Sequence, residues 1–496
     1  MSAPTPAASP TATATGRSRA TAAATAPTAI RQKLIVLCDG TWCGSETNTK
    51  SNIFLLAKMI GIPMDEENPT NAVPIYYEDP TREIQAGYFP GSGLGSTFLE
   101  YLYNATSGMD IDNDCIRVYK YIVERYTGYQ EIWMFGLSRG SYTVRSVVGM
   151  INNCGLIRTF TDRTIDSLCN EVYLIYRSPY PEDCPKSRSS LEFRRRVSHN
   201  VSMPIKFMGL LDTVGAMGVP KLDSGIGLTF PEFHDHMISS EVEKVYHACA
   251  IHDRLWIFQP CRAFRKPNPD KPWLQVHERW FPGCHYDLGR QRFRFFPNGK
   301  DVIQRSIGRA LRPLGKVIEP NEVLADLVLK WMLESIKSEN PHGNVITNID
   351  GEIHTLNTNI RESPKTGSGD VYDNILEYGP GGRLFEVGAR IADAAVTFLD
   401  RLSQARLGTA LRDFFDLRLI IGTIAATRHR RIGDYAAVVT MYDEASNTTG
   451  DQTIATLARI DKRRYPSNTF ENFRKYSTAM REGPPIPQGS VLHDIM

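Results

Sequence analysis

Glu131-Ile132-Trp133-Met134-Phe135-Gly136-Leu137-Ser138-Arg139-Gly140-Ser141 is the stretch on which the fold turns. Its first five residues form a short apolar run, as a strand buried on both faces requires. The run stops at Gly136-x-Ser138-x-Gly140, and Ser141 to Asn152 continues with helical character to near Gly155. A strand that turns sharply into a helix with serine at the apex lifts the hydroxyl above the sheet on strained backbone. Glycine on both flanks lets neighbouring main chain pass close without a Cβ clash. The amide after the serine, that of Arg139, then lies at a helix N-terminus where it can face a developing oxyanion. The five-residue pattern also occurs by chance in ordinary turns, so the flanking strand and helix give it its weight.

Strand-like and helix-like segments alternate on both sides. Leu34 to Cys38 is another continuous apolar run, ended by Asp39-Gly40-Thr41-Trp42. Asn52 to Ile60 reads as a short helix stopped by Gly61, and Val73 to Tyr77 as a second strand. Asp110 to Tyr126 has helical periodicity, with Ile111, Cys115, Val118 and Ile122 near one face. Ile205 to Leu211 is a strand ending at Asp212; Leu274 to Phe281 is the last, followed by Pro282-Gly283-Cys284-His285. Val242 to Asp253 reads as helical. The glycine-rich Gly91 to Gly95 does not directly follow a strand, so a surface loop is favoured over a dinucleotide fingerprint. Residues 177–200 read as a polar insertion loop and 338–383 as loop, while Glu322 to Ile336 is an amphipathic helix.

This alternation predicts the α/β class: an α/β-hydrolase-like, mostly parallel sheet with helices on both faces and a helical C-terminal region. The expected organisation is a disordered Ala/Thr/Pro-rich tail over 1–32 and a catalytic domain over 33–340. A mainly helical cap or C-terminal region follows over 341–465, then a polar tail over 466–496. The chain of 496 residues is longer than one compact core usually fills. Fifty-seven Lys and Arg against 55 Asp and Glu leave a formal charge of +2, which argues against a nucleic-acid coat. No apolar run of about 18 residues suggests a membrane span. Nine cysteines lack paired C-x-x-C spacing, which points to free thiols in a reducing compartment and so to the cytoplasm.

A serine alcohol needs a base to take its proton and an acid to orient that base. In α/β-hydrolases these follow in the chain order serine, acid, histidine, each just beyond a strand end. Asp212 and His285 occupy such positions. His247 and His252 compete for the base and Asp253 for the acid, while Asp287 could steady the His285 loop. His234 and His236 resemble a zinc dyad but lack a third ligand. Asp39-Gly40-Thr41 lies on the same sheet rim as Ser138. An amide of Gly40 or Thr41 could be the second oxyanion donor, with Asp39 in support; a plain Asx turn is the alternative. Arg290, Arg292 and Arg294 interleave with Phe293, Phe295 and Phe296, which fits a phosphate grip or a half-buried strand, the latter being favoured.

Five motifs in order then bear a resemblance. They are Leu37-Cys38-Asp39-Gly40-Thr41-Trp42, Gly136-Leu137-Ser138-Arg139-Gly140 through Arg145, and Leu211-Asp212-Thr213-Val214-Gly215, followed by His247 to Arg254 and Trp280 to Gly289. Together with the Trp331-Met332-Leu333 helix, the span of roughly 33–340 resembles an uncharacterised α/β-hydrolase domain family. That family includes the type VI secretion phospholipase effectors. The resemblance implies a Ser–Asp–His hydrolase with Ser138, Asp212 and His285 as its matched positions. The chain departs from the family at Leu137, where phenylalanine is usual, and at Tyr286 and Arg290, where serine and glycine are common. The expected activity is cleavage of a carboxylic ester, small or lipid, through an acyl-enzyme, with no cofactor and no nucleic-acid partner. Apolar helices expected over 385–426 could line an acyl pocket or approach a bilayer peripherally, although core packing explains them as well. A non-catalytic binding protein on a hydrolase fold is the competing reading.

Overall fold

The structure is a computed structural model. It describes residues 32–40, 48–68, 73–91, 109–158, 160, 163–214, 238–253, 260–263, 273–281, 283–294, 317–362, 367–369 and 371. Thr41, His234, His236, the tails and the region expected to be helical over 385–426 lie outside these residues.

The first strand, β1 (Lys33–Cys38), is buried along its whole length because both faces of the sheet are covered. Ile35 and Leu37 enter one apolar cluster, and Leu34, Val36 and Cys38 the other. This period of two explains why the sequence reads as unbroken hydrophobicity. Helix α1 (Asn52–Ile60) starts where the Ser51 hydroxyl accepts the Phe54 amide and stops at Gly61, which has a φ of 108°. Then come β2 (Ile75–Asp79), β3 (Ile84–Phe89), α2 (Met109–Arg125), β4 (Glu131–Leu137) and α3 (Arg139–Cys154). Helices α4 (Ile165–Arg177) and α5 (Arg188–Val197) precede β5 (Ile205–Leu211), β6 (Val242–Ala250) and β7 (Gln275–Phe281). The short α6 (His285–Gly289), α7 (Glu322–Glu339) and α8 (Ile349–Glu362) complete the set.

The seven strands form one sheet in the order β2-β3-β1-β4-β5-β6-β7, parallel throughout except for the antiparallel β2–β3 edge pair. Helices α1, α7 and α8 contribute to the cluster on one face, and α2 to α5 to that on the other. Stacked Trp133, Phe207 and Tyr246 run across β4, β5 and β6 and join these strands laterally. The eight described cysteines are free thiols, most of them buried as small apolar side chains. No helix among the described residues is long and apolar enough to cross a membrane.

Three sequence expectations change, and one further strand is added. Val242 to Ala250 is a strand, not a helix: Tyr246, Ala248 and Ala250 face one cluster and Val245 the other. Ile84–Phe89 is a strand that its mixed composition concealed. The polar stretch 177–200 contains α5, which buries only Ser190, Phe193 and Val197. The loop expected over 338–383 contains α8, which packs Ile349, Leu356 and Ile360 into the core.

Candidate active site

Parallel strands deliver their C-terminal ends to a common rim: Asp39, Ser138 and Asp212 directly follow β1, β4 and β5, while His252 and Asp253 lie just beyond β6 and His285 just beyond β7. Ser138 follows β4 with φ 56° and ψ −121°, a backbone that non-glycine residues seldom adopt. The turn is held closely. The Ser138 amide donates to the Leu211 carbonyl at 2.9 Å, and the Tyr142 amide donates back to the Ser138 carbonyl. A Cβ on Gly140 would stand 2.2 Å from the Cys38 carbonyl oxygen, and one on Gly136 2.5 Å from Ser141 Cα. Both glycines are therefore required by close backbone approach. The Arg139 amide belongs to the first turn of α3, whose N–H groups have no acceptor within the helix.

Asp212 follows β5 with a φ of 42°. Its Oδ1 accepts the Ala250 amide at 2.9 Å, and its Oδ2 lies 2.6 Å from His285 Nδ1. On its other side, His285 Nε2 lies 2.9 Å from Ser138 Oγ. Ser138, Asp212 and His285 are thus joined in one buried chain of hydrogen bonds. The proton on Nδ1 faces the carboxylate, which leaves Nε2 as the acceptor for the serine hydroxyl.

The competing residues go elsewhere. His252 Nδ1 accepts the Gly283 amide, and Asp253 Oδ2 accepts the His285 amide at 2.9 Å. Both orient the backbone that carries His285. Asp287 accepts the Cys284 amide on Oδ2 and the Asn321 amide on Oδ1, both at 2.8 Å, linking α6 to the start of α7. Asp39 accepts the Gly40 amide at 2.7 Å, the Ser51 hydroxyl at 2.5 Å and the Tyr88 hydroxyl at 2.6 Å. It therefore ties the end of β1 to the N-cap of α1. The Gly40 amide is engaged by that carboxylate. Burial raises the neighbouring Cys38 thiol well above its ordinary range, which keeps it neutral.

Arg290 pairs with Glu322 and Asp326 and donates to Asn52 Oδ1, while Arg292 pairs with Glu319 at 2.7 Å. These two arginines serve the packing of α6 and α7. A cleft beside the Ser138 turn is lined by Cys38, Asp39, Phe89, Ile111, Asp114 and Arg139.

Sequence reasoning missed Ser51 and Tyr88 as partners of Asp39, and missed Glu278. The last had a usable signal: a carboxylate two residues before Trp280-Phe281, toward the buried end of a strand, must be paired.

The family model described as T6SS, phospholipase effector Tle1-like, catalytic domain, matches residues 32–335. An uncharacterized protein of Saccharomyces cerevisiae, YEL023C, is 25% identical over 196 residues, covering 38% of this chain and 27% of that protein. The chain thus spans about a quarter of that relative's length. Among solved structures, a Tle1 effector bound to the VgrG spike of the type 6 secretion system is 14% identical. It covers 68% of this chain and 81% of that one, with a TM-score of 0.30. An uncharacterized protein from Pseudomonas aeruginosa is 12% identical, covers 84% and 67%, and has a TM-score of 0.26.

Proposed function

Because the chain belongs to the T6SS Tle1-like phospholipase effector catalytic-domain family, we propose that it is a serine hydrolase of carboxylic esters, with a lipid ester as substrate. The observation that carries this reading is the continuous contact from Ser138 Oγ through His285 to Asp212, at 2.9 and 2.6 Å.

Ser138 Oγ attacks the ester carbonyl as His285 Nε2 takes its proton, and Asp212 stabilises the imidazolium that forms. The tetrahedral oxyanion is met by the Arg139 amide; each such donor is worth about 3 kcal/mol of barrier. The second donor is the amide of Gly40 or Thr41, and Gly40 would have to exchange its bond to Asp39 for the oxyanion. Collapse expels the alcohol, protonated by the imidazolium, and leaves Ser138 acylated. Water, deprotonated by His285, then attacks the acyl-enzyme, and the acid departs with Ser138 restored. The cleft beside the turn, with its apolar Phe89 and Ile111, is the proposed seat for part of the ester. None of these steps calls for a cofactor.

The test uses the full chain with a short p-nitrophenyl ester, phosphatidylcholine vesicles and a fluorophosphonate probe. The expected result is ester turnover, fatty-acid release and labelling at Ser138, all abolished by Ser138→Ala with the melting temperature unchanged. Undiminished turnover in that variant rejects the assignment, and absence of labelling in the wild type favours a binding protein. Ester turnover without fatty-acid release would sink only the lipid part.

A further inference from the structure

Glu278 and His247 form a buried pair that the proposed reaction does not use. They are register partners on the parallel strands β7 and β6, so their side chains share one sheet face. The Glu278 carboxylate accepts Arg262 Nε at 2.8 Å and the Ala263 amide at 3.1 Å. Arg262 Nη2 stands 2.6 Å from Oε1, and His247 Nδ1 3.3 Å from Oε2. Burial by itself pushes this carboxyl up, but the hydrogen bond from His247 and the Arg262 charge outweigh it and hold it at about 2. It is therefore an anion with all its donors supplied.

Two arms run from this anion to one peptide unit. His247 Nε2 accepts the Thr213 amide at 3.2 Å, which leaves the ring proton on Nδ1, toward the carboxylate. Cys261, adjacent to Arg262, donates its amide to the Thr213 carbonyl at 2.8 Å. Thr213 is thus gripped at both polar ends, and it directly follows Asp212 with its left-handed φ. Such a conformation persists only where the surroundings hold it. We propose that Glu278 and His247 are positioning residues, whose hold on Thr213 keeps Asp212 in this conformation with Oδ2 aimed at His285. The inference rests on the hydrolase reading of the site.

His247, Cys249 and Glu278 also bring three metal-binding atoms within 4.8 Å of one another. A guanidinium already lies on the carboxylate, and a backbone amide already occupies Nε2, so the hydrogen-bonded arrangement is the one the groups satisfy.

His247→Gln and His247→Asn separate the two bonds. Glutamine reaches the Nε2 position and keeps an acceptor for Thr213; asparagine reaches only the Nδ1 position and keeps a donor for Glu278. In the full chain, the rate of Ser138 labelling by a fluorophosphonate needs no knowledge of the natural ester, and p-nitrophenyl ester kinetics divide kcat from KM. The glutamine variant is expected within about threefold of wild type. The asparagine variant should lose about 10- to 100-fold in labelling rate and kcat with KM nearly unchanged, as small displacements of catalytic groups do. Equal loss in both variants, tracking their melting temperatures, overturns the proposal. If the asparagine variant does not fold, the isosteric Glu278→Gln carries the test, and an unchanged kcat there overturns it. Stoichiometric zinc in the purified chain that disappears in His247→Gln also overturns it. Ser138→Ala run alongside separates the two readings: activity surviving there removes the hydrolase assignment itself, whereas its loss beside an unaffected His247→Asn removes only this inference.

Discussion

Gly140 is where the turn that carries Ser138 presses on the neighbouring strand. An added Cβ would stand 2.2 Å from the Cys38 carbonyl oxygen and 2.6 Å from that of Asp39. Both obstacles are main chain at the end of β1, so no side-chain rotation relieves the overlap. The first turn of α3 must withdraw, taking the Ser138 hydroxyl and the Arg139 amide with it. Gly140→Ala is expected to destabilise the fold by about 1–3 kcal/mol, the usual range for overpacking. It should also slow Ser138 labelling at least tenfold at temperatures where the variant remains folded. Thermal melting and labelling rate check this; a normal rate would show that the turn does not depend on the close approach. The meeting of Ser138, Asp212 and His285 is legible in the sequence because each lies just beyond the end of an apolar run, and parallel strands bring such ends together. His252 and Asp253 follow a strand end as well. Sequence does not distinguish a side chain that meets a backbone amide from one that meets the serine. His247 is harder still, because its strand reads as helix in the sequence.

The element that presents His285, α6, has only five residues, too few to be stable alone. It is held by Asp287, which accepts the Cys284 amide with one oxygen and the Asn321 amide with the other. Arg290 completes the joint by pairing with Glu322 and Asp326 on α7. Asp287→Ala strands two buried amides at about 1–3 kcal/mol each and frees the start of α7 from the His285 helix. The expected loss is about 3 kcal/mol in denaturant unfolding, with Asp287→Asn intermediate because it keeps one acceptor. A loss below about 1 kcal/mol in the alanine variant would show that α6 is anchored elsewhere. Elements were legible in proportion to the apolar surface they bury. Ile205–Leu211 is nearly all core and was read at its observed limits. Helix α5 hides only three residues and passed for a loop. Gly87 and Gln85 interrupt β3, whose glycine is tolerated because the Tyr121 ring packs where a side chain would stand.

At the scale of the molecule, the core on one sheet face is not closed by the family-matched residues alone. That match ends at 335, while the cluster with Ile53, Phe54 and Leu333 also contains Ile336, Val345, Ile346, Ile349, Leu356, Ile360 and Val371. Several of these follow α7, on α8 and the short segments beside it. Residues 367–369 reach back to the segments beside His285: the Ser368 amide donates to the Glu319 carbonyl, and the hydroxyl of Tyr286, the residue after His285, donates to the Gly369 carbonyl. A chain truncated after Ser335 loses seven buried apolar side chains, each worth about 2 kcal/mol of burial. Their sum of roughly 14 kcal/mol rivals the whole stability of an ordinary domain, about 5–15 kcal/mol. The truncated chain is therefore expected to bind a hydrophobic dye, to unfold without a cooperative transition and to leave Ser138 unlabelled. A sharp melting transition with normal labelling would mean that residues 32–335 close their own core, and that the helix and segments packed behind it are dispensable to the site.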